Sequence, residues 1–295
     1  MYFYRAFGLG ISSEIELPEL ISSDSGNDVI IVTGKTPDKL ESPIKTGIRY
    51  EAAENQFLLT VDNVARYYVT NGKQIIVEPY NNNDMASIRL FLLGSAFGAL
   101  IIQRNLIPMH ASSVKIKNFA VLFSGISGVG KSTIAAGFYK RNYTVLDDDV
   151  SVVNIINDIP NVVPGYPQIK LWADVLNHFD EMPENLIKVR SNIKKFCYKI
   201  KNFDNHQYPI KYIFILQTKN SGNIEIKKLK GIDKFNVLRN NTYRVQFIEG
   251  LDKQKVHFKT LEKMARNCKI YTVKRPRTGF LLDALIDNIL KTFDN

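Results

Sequence analysis

Residues Gly125-Ile126-Ser127-Gly128-Val129-Gly130-Lys131-Ser132 constrain this chain more than any other stretch. They satisfy the phosphate-loop pattern G-x-x-x-x-G-K-[ST] at every fixed position. Glycines let a backbone fold around an anion with no Cβ in the way, and its N–H groups then converge as a nest. A helix starting directly after the loop turns its positive end toward the same anion. Such a loop needs a strand before it and a helix after it. Residues 119–123 form a continuous apolar run, as in a strand covered on both faces. Residues 131–140 read as a helix and 143–146 as the next strand, which gives the βαβ order the pattern requires. The nucleotide-binding candidates are therefore Gly125, Ser127, Gly128, Val129, Gly130, Lys131, Ser132 and Thr133. Lys131 supplies a mobile cation for the terminal phosphates, and Ser132 a hydroxyl for Mg²⁺. The expected ligand is ATP with Mg²⁺.

Asp147-Asp148-Asp149 follow the apolar strand at its C-terminal end, the edge where ligands of open α/β sheets bind. Successive strand side chains point to opposite faces, so three acids serve one point only if the strand stops there. One acid is expected to act as general base and a neighbour to face the metal. His110 lies just ahead of the strand that leads into the loop. Arg244 is a further candidate for stabilising charge on a transferring phosphoryl group, and the basic turn Lys274-Arg275-Pro276-Arg277 a candidate anion contact.

Upstream the pattern differs. Residues 29–33, 56–61, 66–70 and 74–78 are rich in β-branched and aromatic side chains, with turn signals at Asp62-Asn63 and Asn71-Gly72-Lys73. Asn81-Asn82-Asn83-Asp84 then marks a boundary and can cap a helix over about 85–104. The expected organisation is a β-rich region at 1–83, a connecting helix at 84–105 and an α/β phosphate-loop domain at 106–295. Within the last, strands are expected at 212–217 and 224–229, and helices at 251–267 and 279–293.

Composition narrows the class. The chain has 295 residues, 45% of them hydrophobic, enough for one large or two moderate cores. Its two cysteines, Cys197 and Cys268, lack metal-ligand spacing and read as reduced core thiols of a cytoplasmic protein. No signal-type segment opens it, and the apolar stretch at 88–102 is interrupted by Arg89, Gly94 and Gly98, so no membrane partner is expected. The formal net charge of +10 fits an anionic partner. Nothing resembles a nucleic-acid-binding module, so that partner is expected to be a nucleotide or an acidic peptide rather than a nucleic acid.

Taken together, His110, the run Gly128-Val129-Gly130-Lys131-Ser132 and the acids Asp148-Asp149 resemble the catalytic domain of the HPr kinase/phosphorylase family over about residues 105–155. Counted from Lys131 without gaps, His110 falls on the family's histidine and Asp148-Asp149 on its acid pair. The resemblance implies a P-loop kinase domain behind a β-rich region. By it, Asp148 is the proton acceptor, Lys131 the phosphate-binding lysine, Ser132 the metal-binding hydroxyl and His110 an active-site residue; Asp149 is expected to support the metal or orient the acceptor. The family's further glutamate is not found in Val163-Pro164-Gly165-Tyr166-Pro167-Gln168-Ile169-Lys170-Leu171-Trp172, which implies kinase chemistry without the phosphorylase signature. The Pro-Gly-Tyr-Pro-Gln part reads either as a rigid turn or as a wall of an acceptor site. This segment, with the phrase running from Gly8 to Leu20 and Met109-His110-Ala111-Ser112-Ser113, is similar to a branch that includes serine kinases of lasso-peptide precursors. The acceptor implied is a serine-containing peptide or small protein. A kinase of HPr-like carriers and a P-loop ATPase or nucleotide-dependent binding switch are the alternatives, and a homo-oligomer is left open.

Overall fold

The computed structural model describes residues 1–80, 84–189, 193–277, 279 and 281–293. It is a mixed α/β structure that divides into two units.

The first unit is Met1–Pro108 together with Val189–Ile193 and Tyr243–Lys259. Three antiparallel strands, Gln56–Val61, Ala65–Thr70 and Gln74–Pro79, run as a meander. Between the last two, Asn71 and Gly72 both take positive φ in a three-residue connection, closed by Lys73 N donating to Thr70 O. Val29–Thr33 and then Leu9–Ser13 extend the sheet in parallel, and Tyr2–Ala6 continues it antiparallel. Asp84 caps the helical run that follows by accepting from Ser87 N, while Asn81, Asn82 and Asn83 lie outside the described residues.

That run, Met85–Gln103, is long and apolar enough to cross a membrane, but two-thirds of its apolar window is buried inside the protein. Gly94 and Gly98 face Tyr243, whose ring lies where a Cβ on Gly98 would stand, at 3.1 Å. Phe247 closes the core of this unit, 4.5 Å from the Phe57 ring and 4.8 Å from the Tyr50 ring. The segment from Tyr243 onward therefore completes a core begun two hundred residues earlier, which a reading along the chain does not disclose.

The second unit is Met109–Lys188, Lys194–Thr242 and Thr260–Asn295. Its central strands Phe119–Ser124, Tyr208–Lys219 and Lys269–Pro276 are mutually parallel. Every residue of Phe119–Ser124 is buried, as its unbroken apolar run requires. Helix Lys131–Lys140 packs on it through Phe138, whose ring lies 5.3 Å from Phe123, and Phe123 in turn stacks on Phe214. One expectation changes here. The strand after this helix, Thr144–Asp147, does not pair with Phe119–Ser124. Ala111–Ile116 lies between the two and is antiparallel to both. The flanking strands still run in the same direction, so their C-terminal ends share one edge.

A smaller sheet joins Gln168–Trp172 to Lys195–Lys199 and Ile187–Lys188. Ile169 and Leu171 enter the core, which leaves Lys170 and Trp172 on the opposite face. Downstream helices occupy Gln254–Asn267 and Leu282–Leu290, both starting later than the apolar pattern suggests. Cys268 is a buried thiol that donates to Ile210 O, and burial pushes its pKa up to about 12; Cys197 is only half-buried.

Candidate active site

The glycine-rich loop is held open by backbone geometry. Gly125, Gly128 and Gly130 have φ of 143°, 80° and 106°, the region that disfavours a Cβ. At Gly125 an added Cβ would also strike Leu216 O at 2.6 Å. Val129 is buried and anchors the loop, while Ile126, Ser127 and Gly128 are exposed. Helix Lys131–Lys140 starts at Gly130 with no side-chain cap, so its first N–H groups remain for a ligand.

Hairpin pairing brings His110 to this loop. Ala111 faces Ser124 in register, and Ser124 Oγ donates to His110 O at 2.7 Å. The residue before one strand thus meets the last residue of the other. His110 Nε2 lies 2.9 Å from Lys131 Nζ, and His110 Nδ1 lies 3.0 Å from the Asp149 carbonyl oxygen. With Lys131 as an ammonium, Nε2 accepts and Nδ1 carries the proton. Burial, then the neighbouring Lys131 charge, hold the His110 pKa below its ordinary value, which fits this neutral tautomer. Lys131 Nζ also donates to Gly125 O and Ile126 O at 2.9 and 3.1 Å. Its three donors are thus met by two loop carbonyls and His110. Burial lowers the Lys131 pKa, and the charges of Asp149 and Asp148 act against that.

The three acids occupy three environments. Asp147 ends its strand fully inside the protein. Its Oδ1 accepts from Asp148 N, its Oδ2 has no hydrogen-bond partner, and desolvation followed by the Asp148 charge raises its pKa well above its ordinary value. Gly165 stands against this carboxyl so closely that a Cβ there would lie 2.5 Å from Oδ1. Asp148 is also buried. Its Oδ1 accepts from Ser112 Oγ at 2.6 Å and its Oδ2 from Lys170 N at 2.9 Å. Asp149 takes φ of 74°, turning the chain after the strand, and its side chain is about one-third exposed. Its carboxylate lies 3.5 Å from His110 Nδ1 and 3.6 Å from Lys170 Nζ. Burial alone would raise the Asp149 pKa, but Lys170, His110, Lys195 and Lys131 together outweigh it and the pKa falls.

A pocket of about 70 Å³ joins these parts. His110, Lys131, Ser132, Asp149, Lys170 and Lys195 line it, with Ser127, Thr133 and Trp172 around them. Three ammonium groups stand against one carboxylate, which gives the pocket a net positive lining. Asp148, expected as the proton acceptor, does not line it, because both of its oxygens are committed to Ser112 and the Lys170 backbone. Asp149 is the acid that does.

Other expectations fall elsewhere. Pro164, Gly165, Tyr166 and Pro167 are buried, so the proline-rich segment is an internal turn; the wall is Lys170 and Trp172 just beyond it. Arg275 donates to Val129 O at 3.0 Å and so braces the loop from behind. Arg244 belongs to the first unit, exposed, with its guanidinium over the Tyr243 ring.

Lys195 and Trp172 were not picked out from the sequence. For Trp172 a signal existed, since Lys170 and Trp172 alternate with the apolar Ile169 and Leu171. Lys195 reaches the pocket only because its strand pairs with Trp172 across the small sheet, and no local pattern records that.

The donor set suits Mg²⁺ brought by a nucleotide. That ion keeps several waters and takes one or two protein oxygens plus phosphates, and Ser132 with Asp149 offers one hydroxyl and one carboxylate. Among the described residues no cluster of three His, Cys, Asp or Glu forms a self-sufficient cage.

No family model and no curated protein matches this chain. Among solved structures, the chain is similar to the Hpr(Ser) kinase/phosphatase from Coxiella burnetii, at 12% identity and a TM-score of 0.33, over 64% of this chain and 99% of that one. The overlap at that score is partial, and the functional reading rests on the site itself.

Proposed function

We propose that this chain is an ATP-dependent kinase that transfers the γ-phosphoryl group to a serine hydroxyl of a peptide or small protein. The observation that carries the reading is the gathering of Lys131 and Ser132 of the loop with Asp149, His110, Lys170 and Lys195 around one pocket. Phosphoryl transfer needs these parts: a phosphate cradle, a cation for the transferred group and a carboxylate facing it. Mg²⁺ brought by the nucleotide would be held by Ser132 and one oxygen of Asp149, and would supply charge neutralisation.

The attacking serine oxygen forms its bond to the γ-phosphorus as the bond to the β-bridging oxygen breaks, leaving ADP. The hydroxyl proton passes to the Asp149 carboxylate oxygen that does not face the metal; the group is ionised at neutral pH, and its cationic surroundings hold its pKa low. Asp148 serves by position: it ties Ser112 to the Lys170 backbone and so sets the wall that carries Lys170 and Trp172. Lys195, with Lys170 beside Asp149, adds positive charge next to the acceptor hydroxyl. A carboxylate close to the serine fits them, as in a ribosomally made, lasso-type precursor peptide ending on serine.

The test is transfer of labelled γ-phosphate from ATP with Mg²⁺ to three peptides: serine-ended, the same with a terminal amide, and one extended past the serine. The serine-ended peptide should be favoured, and amidation should raise KM more than it lowers kcat. Equal kcat/KM on all three refutes the terminal-serine reading and leaves the kinase reading standing. Phosphate release with no labelled acceptor, including an HPr-like carrier, refutes the kinase.

A further inference from the structure

A second cavity, about 260 Å³, opens beside the first. The two share Gly128, Gly130, Thr133 and Trp172 and otherwise differ in character. The first holds the three lysines and Asp149. The second has none of them and is walled by Ile134, Val175, Leu216, Leu282 and Leu285, with Asp174, Arg275 and Arg277 as its charged members.

A nucleoside triphosphate has the same two-part chemistry. Its phosphates need the cationic side, and its nucleoside needs a flat apolar slot with a few polar groups at hand. The shared residues are the loop's own glycines and the start of its helix, where the phosphate chain has to pass from one side to the other. The acceptor hydroxyl must approach Asp149, which lines only the first cavity, so the second is left for the other end of the nucleotide.

Trp172 stands at the junction. It is the chain's single tryptophan, it is 48% exposed, and it lies on the face of its strand opposite the core residues Ile169 and Leu171. A large aromatic side chain left half in water at the mouth of an apolar cavity has a π-face available for stacking. Resting on the nucleotide reading above, we propose that this second cavity receives the nucleoside and that the Trp172 indole stacks on its base. Arg275 braces the loop through Val129 O, and Asp174 supplies an acceptor for a sugar hydroxyl or a base N–H.

The experiment uses the full chain, its intrinsic fluorescence and calorimetric titration with ATP and with inorganic tripolyphosphate. All indole emission comes from Trp172, so ATP should quench it strongly and tripolyphosphate little, although both bind. Trp172→Ala should weaken ATP roughly 5- to 160-fold, the range of one lost base–aromatic stack, and leave tripolyphosphate affinity unchanged. Trp172→Phe should recover most of the loss. Lys131→Ala should weaken both ligands. If Trp172→Ala leaves ATP affinity intact, or weakens ATP and tripolyphosphate alike, the stacking assignment is overturned while the phosphate loop stands. If the wild-type chain binds tripolyphosphate but gains nothing from the nucleoside, the cavity assignment alone is overturned. If it binds neither, both readings fail together.

Discussion

Replacing Asp148 and Asp149 in turn separates a structural acid from a chemical one. Asp148→Ala removes two acceptors at once and leaves Ser112 Oγ, fully buried, and Lys170 N–H without their partners. Each orphaned group costs about 1–3 kcal/mol, so a loss of roughly 3 kcal/mol is expected. At about 2–4 °C per kcal/mol for a unit of this size, Tm should fall by roughly 6–12 °C. Asp148→Asn is milder. Its amide oxygen can stay on Lys170 N–H while its NH₂ donates to Ser112 Oγ, whose hydroxyl rotates to accept. Only the charge assistance is lost, about 1 kcal/mol. Asp149→Asn should behave in the opposite way. Its carboxylate is part-exposed and 3.5–3.6 Å from its cations, so stability should move by less than about 1 kcal/mol. Transfer should drop by about two to four orders of magnitude. The assay pairs thermal unfolding by circular dichroism with initial rates of labelled phosphate transfer for each variant. If Asp148→Asn abolishes transfer at unchanged Tm and Asp149→Asn stays active, the proton acceptor is Asp148 and the geometric reasoning fails.

Further outcomes follow from the same site. His110 is held neutral in the folded state while the unfolded chain protonates near the ordinary value of about 6.5. Stability should therefore fall as pH drops below about 6.5, and level off once the lower folded pKa is passed. His110→Gln should flatten that part of a Tm-against-pH curve, and an unchanged slope would refute the burial argument. Asp147 has the opposite sign: its raised folded pKa gives stability that is lost as pH rises above the ordinary carboxylate range. Asp147→Asn should gain on the wild type steadily from pH 4 upward in urea unfolding. Gly165→Ala would put a methyl against a buried carboxyl and should cost about 1–3 kcal/mol. Adding Asp147→Ala should recover part of that loss, and strict additivity of the two changes would count against the contact.

The loop and its flanks were legible because their signals are local. Glycine positions, an apolar run and a helix pattern lie within twenty residues, and helix Lys131–Lys140 has the ends that its pattern gave. The meander of the first unit was legible for the same reason, through period-two strands and an Asn-Gly turn. What escaped depends on pairing between distant strands. That Ala111–Ile116 intervenes between the loop strand and the acid strand is a matter of sheet order, which hydrophobic periodicity does not encode. The distribution of the acids was half visible. Alternation along the chain said that Asp147, Asp148 and Asp149 could not act alike. Which of them meets the pocket was decided by Ser112 and the Lys170 backbone, residues 36 and 22 positions away from Asp148.

The interleaving of the first unit has a bearing on how the chain is born. Phe247 packs against both the Tyr50 and Phe57 rings, and Tyr243 covers Gly94 and Gly98. These side chains leave the ribosome 135 residues or more after Pro108, the difference between positions 243 and 108. At about 5–20 residues per second, synthesis of that interval takes roughly 7–27 s. During it the sheet of the first unit is present without part of its core, while the entire phosphate loop and its helix are made and free to form. The terminal half of the molecule thus holds the last pieces of the initial half, so a shortened chain ending near residue 240 should be recovered as an aggregation-prone sheet rather than as a trimmed version of the protein.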